Sequence, residues 1–136
     1  MRDEIRVPIN SDDDIVTARQ EGRRLAAGAG FSSTDLTLIA TAISEVARNI
    51  RLYAGEGVVT LARVREGVKE GIEVVARDEG PGIANLEAAM QDGYSTVGSS
   101  GLGLPGARRL MDEFEIDSGP GQGVTVTMRK WGPAVV

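Results

Sequence analysis

Two side chains that could do chemistry together, Glu45 and Asn49, stand four residues apart in the stretch "SEVARNIRLYAG". Residues at this spacing lie on the same side of a helix, and here that side is not the main apolar one. A carboxylate can accept a proton, and an amide oxygen suits a hard cation. Taken alone, the pair fits an incidental solvated helix face about as well as it fits a site.

A second candidate is a carboxylate at the end of a predicted strand. The stretch "VVARDEGPGI" ends its β-branched run in Asp78 and then places Gly80 and Gly82 around Pro81. Because glycine has no Cβ, backbone of this kind can approach a flat ligand closely. By itself the stretch fits an ordinary acidic turn better than a binding site.

The third candidate is the glycine-rich stretch "DGYSTVGSSGLGLPG", residues 92–106. It contains G-x-G-x-x-G at Gly101, Gly103 and Gly106, but no apolar strand precedes it, and too little chain follows for a dinucleotide-binding fold. It also lacks the lysine of a Walker P-loop. What remains is a loop that leads into a helix N-terminus, where free N–H groups suit phosphate oxygens.

Apolar periodicity and turn residues predict the elements that must position these candidates. The predicted elements are a strand at 5–9, a helix at about 12–28, a long helix within 31–55 that Ser32 or Ser33 caps, hairpin strands at 58–64 and 72–78, a short helix near 84–92, a helix at 105–114 and a strand at 124–131. Helices that alternate irregularly with hairpins favour an α+β fold. We expect one domain, 1–136, built as a two-layer sandwich of a mixed, mainly antiparallel sheet with helices on one face.

Composition removes several classes of function. The 136 residues include no cysteine and no histidine, which excludes disulfides, thiol chemistry and a phosphohistidine within the chain. The net charge is −5, Lys69 and Lys130 are the only lysines, and no basic cluster suggests nucleic-acid binding. The charged start and the lack of a long apolar run predict a cytoplasmic protein that does not enter a membrane.

Taken in order, "SEVARNI", "DEGPGI" and "GLGLPGA" resemble the N, G1 and G2 boxes of the GHKL ATPase/kinase superfamily, which has the Bergerat fold. Within it, "SEVARNIRLYAG", "DGYST" and "GARRLMDEFEIDS" are similar to the small bacterial serine/threonine kinases that act on anti-sigma-factor antagonists, and most of all to the RsbT-type switch kinases of the stressosome. The resemblance covers nearly the whole chain.

The resemblance implies that the chain uses ATP and Mg²⁺ to phosphorylate a protein. Asn49 would ligate Mg²⁺ through its side-chain oxygen, and Glu45 would orient or deprotonate the attacking serine or threonine hydroxyl. Lysines are scarce, so charge on the γ-phosphate must be neutralised mostly by Mg²⁺ and backbone N–H groups. The candidates for an additional arginine contact are Arg48, Arg108 and Arg109.

The same resemblance implies that Asp78 accepts a hydrogen bond from the adenine amino group. The other residues implied to bind nucleotide are Gly80 and Gly82 beside the base, and Gly101, Leu102 and Gly103 in a lid over the phosphates. One departure is Val124, which stands where the family commonly has a threonine that helps to hold the adenine. Thr125 follows one residue later and is expected to point to the opposite face of the sheet.

The implied partners are STAS-domain antagonist or scaffold proteins and a PP2C-type phosphatase regulator that a released kinase would activate. The alternative is an anti-sigma factor or switch module in which bound nucleotide matters chiefly for conformation. An isolated ATP-binding domain of a histidine kinase fits the "SEVARNIRLYAG" stretch less well. Because both Glu45 and Asn49 are present, the sequence favours the enzyme.

Overall fold

The computed structural model describes residues 4–81, 103–119 and 121–134. Its elements are β1 (Glu4–Ile9), α1 (Asp12–Ala27), α2 (Ser33–Tyr53), β2 (Gly57–Glu66), β3 (Lys69–Asp78), α3 (Gly103–Leu110), β4 (Glu113–Ser118) and β5 (Val124–Ala134). The short helix predicted near 84–92, most of the stretch 92–106, and the site candidates Gly82, Gly101 and Leu102 lie outside the described residues.

The strands form one sheet in the order β1-β2-β3-β5-β4, and each described neighbour pair is antiparallel. Side chains alternate across a strand, so one face of the sheet carries the core. Its fully buried members include Val59, Leu61, Val74 and Met128. The helices pack on this face, since their apolar residues belong to the same core. The predicted α+β sandwich is therefore confirmed, with an antiparallel sheet throughout the described part.

Polar side chains fix where the first two helices begin. The Asp14 carboxylate accepts hydrogen bonds from the backbone N–H groups of Asn10 at 2.8 Å and Ser11 at 3.1 Å, which hold α1 at its N-terminus. The Ser32 hydroxyl oxygen accepts from the N–H of Asp35 at 3.2 Å, so Ser32 is the cap of α2. At the other end, Gly55 takes a φ of 84°, in the left-handed region that the sequence predicts for it.

The hairpin is longer than predicted at its turn. Its strands run to Glu66 and from Lys69, so that only Gly67 and Val68 form the turn. The polar residues between 64 and 72 suggest a loop, but the cross-strand ladder continues through them. Local polarity was a poor guide here because this end of the hairpin is exposed on both faces.

The third helix is shorter than predicted. It begins at Gly103 and ends at Leu110, whereas the prediction placed it at 105–114. Glu113 and Phe114 belong instead to β4, because they pair with Arg129 and Met128 of β5. An ion pair of 2.9 Å between Glu113 Oε1 and Arg129 Nη1 supports that pairing. Tertiary contact therefore overrides the helical pattern of "RRLMDEF", and β5 itself extends three residues beyond the predicted end, to Ala134.

Replacing Ile43 with alanine should destabilise the fold strongly. Ile43 is fully buried, and a Cβ added to Gly22 would collide with its Cδ1, so α1 and α2 meet at this side chain. We expect the free energy of unfolding in urea to fall by about 2–5 kcal/mol, because a cavity would remain between the helices. Val68→Ala, in the exposed turn, is the control and should change it by less than about 0.5 kcal/mol. Equal effects would contradict this packing.

Candidate functional site

A buried carboxylate stands where β3 ends. Asp78 is 6% exposed and lies on the helix-covered face of the sheet. Its Oδ1 accepts a hydrogen bond from the N–H of Gly80 at 2.9 Å. Burial raises the pKa of Asp78, whereas hydrogen bonds from the backbone of Gly80 and of Val124 act in the opposite direction and are smaller. The side chain is thus oriented by backbone groups and only partly compensated for the loss of water.

Backbone segments approach this carboxylate closely, and glycine permits the approach. A Cβ at Gly57 would collide with the carbonyl of Arg77 and lie 3.1 Å from the Cβ of Asp78. Gly123 has a φ of 70°, and a Cβ there would collide with the carbonyl oxygen of Asp78. These contacts bring the beginnings of β2 and β5 against the end of β3.

Val124 touches Asp78 through its backbone. The two residues are direct partners in the β3–β5 register, and the Val124 side chain is buried on the same face as Asp78. Thr125 pairs with Arg77 on the opposite face of the sheet, as the alternation of side chains predicts. The contact between Val124 and the carboxylate therefore uses an N–H group that any residue except proline would supply.

The side of α2 that carries Glu45 and Asn49 is not solvated. Ala42 is fully buried and Glu45 is 7% exposed, while Asn49 is half-buried. Glu45 Oε1 forms an ion pair with Arg48 Nη1 at 2.9 Å. Within the described residues, the Asn49 side chain has no hydrogen-bond partner. One turn of helix thus presents a paired carboxylate and an amide that the described part of the chain leaves unpaired.

The structure brings the C-terminal half of α2 to the end of β3. A Cβ at Gly80 would lie 2.6 Å from the Cβ of Ala54, and one at Gly57 would lie 2.9 Å from Cγ2 of Ile50. Ile50 is the next residue after Asn49, so the helix turn with the amide is adjacent to the strand end with Asp78. Gly80 therefore has a packing reason to be glycine, in addition to the ligand approach that the sequence suggests.

The remaining predicted residues are placed only in part. Gly103 begins α3, which packs against α2, whereas Gly82, Gly101 and Leu102 lie outside the described residues. The arginine candidates other than Arg48 are exposed on α3. Sequence reasoning missed the ion pair of Arg48 with Glu45, although an acid and a base three residues apart on a helix signal such a pair.

Two further properties concern the described residues alone. No group of three or more acidic, histidine or cysteine side chains among them could hold a metal ion. None of the helices in 4–81 and 103–119 is long and apolar enough to cross a membrane.

Comparison with known proteins identifies the family. The sequence model of the family "histidine kinase-like ATPase domain" matches residues 10–130 of the chain. The chain belongs to this family. The serine/threonine-protein kinase RsbT of Bacillus subtilis is 47% identical over 131 residues, which are 96% of this chain and 98% of that protein. The anti-sigma F factor of a Thermoanaerobacter species is 37% identical over 99 residues, 68% of each chain.

Two solved structures resemble the chain in fold. A Mycobacterium tuberculosis structure with RsbU and RsbW domains superposes with a TM-score of 0.62 at 21% identity, over 98% of this chain and 34% of the other. The mycobacterial sensor histidine kinase MprB gives a TM-score of 0.56 at 19% identity, over 96% and 100% of the two chains. At such identities these likenesses show the fold alone. An ATPase domain of this family implies use of ATP, and the full-length match to a kinase supports serine/threonine kinase activity.

The stability of the protein should depend on pH through Asp78 with a defined sign. The folded-state pKa of Asp78 lies above the usual 3.8, so its contribution to stability is fully present below that value and is lost as pH rises through the folded pKa. Asp78→Asn removes this loss. The free energy of unfolding of the variant, relative to wild type, should therefore increase with pH, as measured by denaturant unfolding at several pH values.

Asp14→Asn provides a control of opposite sign. The pKa of Asp14 is lowered, chiefly by the hydrogen bond from the backbone of Asn10, so its contribution is present above 3.8 and is lost as pH falls through the folded pKa. The free energy of unfolding of this variant, relative to wild type, should therefore decrease as pH rises. A stability difference for Asp78→Asn that does not vary with pH would contradict the buried environment of that carboxylate.

Proposed function

We propose that the chain is an ATP-dependent protein serine/threonine kinase of a bacterial partner switch, acting in the cytoplasm on STAS-domain proteins through a single ATP-binding domain. One observation carries the assignment of the site. The two carboxylates that are buried among the described residues, Glu45 and Asp78, stand on α2 and at the adjacent end of β3. Burying charge is costly, so such groups are retained where chemistry or binding needs them.

In the proposed reaction, the hydroxyl oxygen of the substrate serine or threonine attacks the γ-phosphorus of ATP. The bond from that phosphorus to the oxygen bridging the β-phosphate breaks, and ADP leaves with its electron pair. The hydroxyl proton passes to the carboxylate of Glu45, which acts as the general base. The low exposure of Glu45 supports this role, because exclusion of water limits hydrolysis of ATP in place of transfer.

At the other end of the nucleotide, Asp78 would accept a hydrogen bond from the adenine amino group. The backbone N–H groups of Gly80 and Val124 already orient its carboxylate, which lowers the ordering cost of binding. Gly80 and Gly82 would leave room for the base beside it. Gly101, Leu102 and Gly103 would contribute backbone N–H groups to the phosphates.

The donor set fits a magnesium ion that is shared with the substrate. Asn49 offers a half-buried side-chain oxygen without a partner in the described part of the chain, one helical turn from Glu45. No acidic cluster stands among the described residues, which suits an ion held mainly by phosphate oxygens and water. When bound, magnesium would neutralise charge on the phosphates during transfer.

The proposed partners are those of a bacterial partner switch, which the relatives support in outline. Full-length similarity to RsbT supports a STAS-domain antagonist or scaffold protein as substrate and a PP2C-type phosphatase regulator as the second partner. A partner-binding switch that does not depend on phosphoryl transfer is the second candidate function, and the similarity to anti-sigma F factors over 68% of the chain favours it. Incubation with labelled ATP and STAS-domain proteins from the same genome separates the two.

Glu45→Gln should abolish most phosphoryl transfer while nucleotide binding persists. The change keeps the shape of the side chain and removes the base, so the rate of transfer to a STAS-domain protein should fall by about 10²- to 10⁴-fold. Glu21→Gln, on the outer surface of α1, is the control and should transfer at the wild-type rate. Transfer by Glu45→Gln within about twofold of wild type would remove the base assignment.

Asp78→Asn should weaken ATP binding. The amide can place a donor opposite the adenine amino group in a buried pocket, where the mismatch should cost about 1–3 kcal/mol of binding free energy in calorimetry. Asp117→Asn, at the end of β4 on the other face of the sheet, is the control and should bind ATP as wild type does. Unchanged affinity of Asp78→Asn would place the adenine elsewhere.

A further inference from the structure

The ion pair between Glu45 and Arg48 has a second member that the proposed reaction does not use. The Arg48 side chain is 37% exposed, whereas that of Glu45 is 8% exposed, so the pair joins a buried carboxylate to a cation at the surface. Arg48 Nη1 bonds Oε1 of Glu45. Among the described residues, Glu45 Oε2 has no hydrogen-bond partner. It is also not fully buried, so it retains some exposure to solvent.

A buried carboxylate without a partner is unstable in its ionised form. Glu45 lies on a helix segment where Ala42, Ile43, Val46 and Ala47 are all buried, so its carboxylate stands in a largely buried part of α2. Arg48 is the one cation that contacts it in the described residues. The guanidinium is planar and always charged, so it both compensates the charge and restricts the rotation of the carboxylate.

We propose that Arg48 is a positioning residue for phosphoryl transfer: it pairs with the buried Glu45 carboxylate and holds Oε1, which leaves Oε2 to accept the proton of the substrate hydroxyl. This inference rests on the proposed role of Glu45 as the base. Arg48 acts through Glu45 and need not touch the substrate.

The alternative is an ordinary helix-surface ion pair, and the chain contains a matched example. Glu21 and Arg24 on α1 have the same E-x-x-R spacing, with 2.7 Å between Oε2 and Nη2. Their side chains are 35% and 67% exposed, so this pair lies in water. Exposed pairs contribute little to stability. The two pairs differ chiefly in burial of the acid, which makes Arg24→Gln the control for Arg48→Gln.

The first test is a double-mutant cycle on stability, which needs no partner protein. Arg48→Gln should lower the folding equilibrium constant by about tenfold or more, because it leaves a buried charge unpaired. In a Glu45→Gln background, Arg48→Gln should lower the folding equilibrium constant much less. Arg24→Gln should lower the folding equilibrium constant by less than about fivefold, both in the wild-type background and in a Glu21→Gln background. Equal costs of Arg48→Gln in both backgrounds would show that Arg48 does not hold Glu45.

The second test measures single-turnover transfer from labelled ATP to the STAS-domain protein that the wild type phosphorylates. Arg48→Gln should lower the maximal rate by about 10- to 100-fold, while ATP affinity changes by less than about threefold. Arg48→Lys keeps the charge, so its transfer should be about tenfold faster than that of Arg48→Gln. If Arg48→Gln does not fold, Arg48→Lys is the variant that is compared with wild type. Arg24→Gln should match wild type. The double variant Glu45→Gln/Arg48→Gln should be no slower than Glu45→Gln alone.

The outcomes separate this inference from the function on which it rests. If Glu45→Gln transfers at the wild-type rate, the base assignment fails whatever Arg48 does. If Glu45→Gln is slow and Arg48→Gln and Arg48→Lys are as fast as wild type, the kinase stands and the positioning role is wrong. A loss at Arg48 that adds fully to the loss at Glu45 would also overturn it, because Arg48 would then act on the substrate directly.

Discussion

The cost of placing charge inside a protein governs this structure. Both carboxylates are buried, Glu45 on α2 and Asp78 at the end of β3, and each is compensated in a different way. Asp78 relies on backbone N–H groups of Gly80 and Val124, and its pKa remains raised. Glu45 relies on the cation of Arg48. The Glu45–Arg48 pair could form on an isolated helix, but the burial of its acid and the backbone hydrogen bonds to Asp78 require the packed helices and sheet.

Packing around the site is made by small residues. Gly57, Gly80 and Gly123 let three backbone segments approach Asp78 or the end of α2, and Ala54 completes the contact. A larger side chain at Gly57 or Gly80 would separate the strand end from the helix that carries Asn49, and one at Gly123 would separate the start of β5 from Asp78. The glycine content near the site therefore serves the architecture as much as the approach of a ligand, and sequence patterns do not distinguish these two uses.

The sequence predicted the two layers of the fold more accurately than the boundaries of its helices and strands. The caps at Ser32 and Gly55 and the alternation of the β-strands follow local rules, and the structure confirms them. The predicted end of α3 was wrong because Glu113 pairs across the sheet with Arg129, a contact that local periodicity does not reveal. Glu45, Asn49 and Asp78 could be singled out from their spacing, whereas the backbone contact of Val124 needed the register.

The strand order has a consequence for how the protein is made. β5 is the last of the described strands to be synthesised, yet it lies between β3 and β4 in the sheet. Until β5 leaves the ribosome, β4 has no strand to pair with, and Asp78 lacks the N–H group of Val124. A nascent chain therefore cannot complete the backbone surroundings of Asp78 until the last of the described strands has been made.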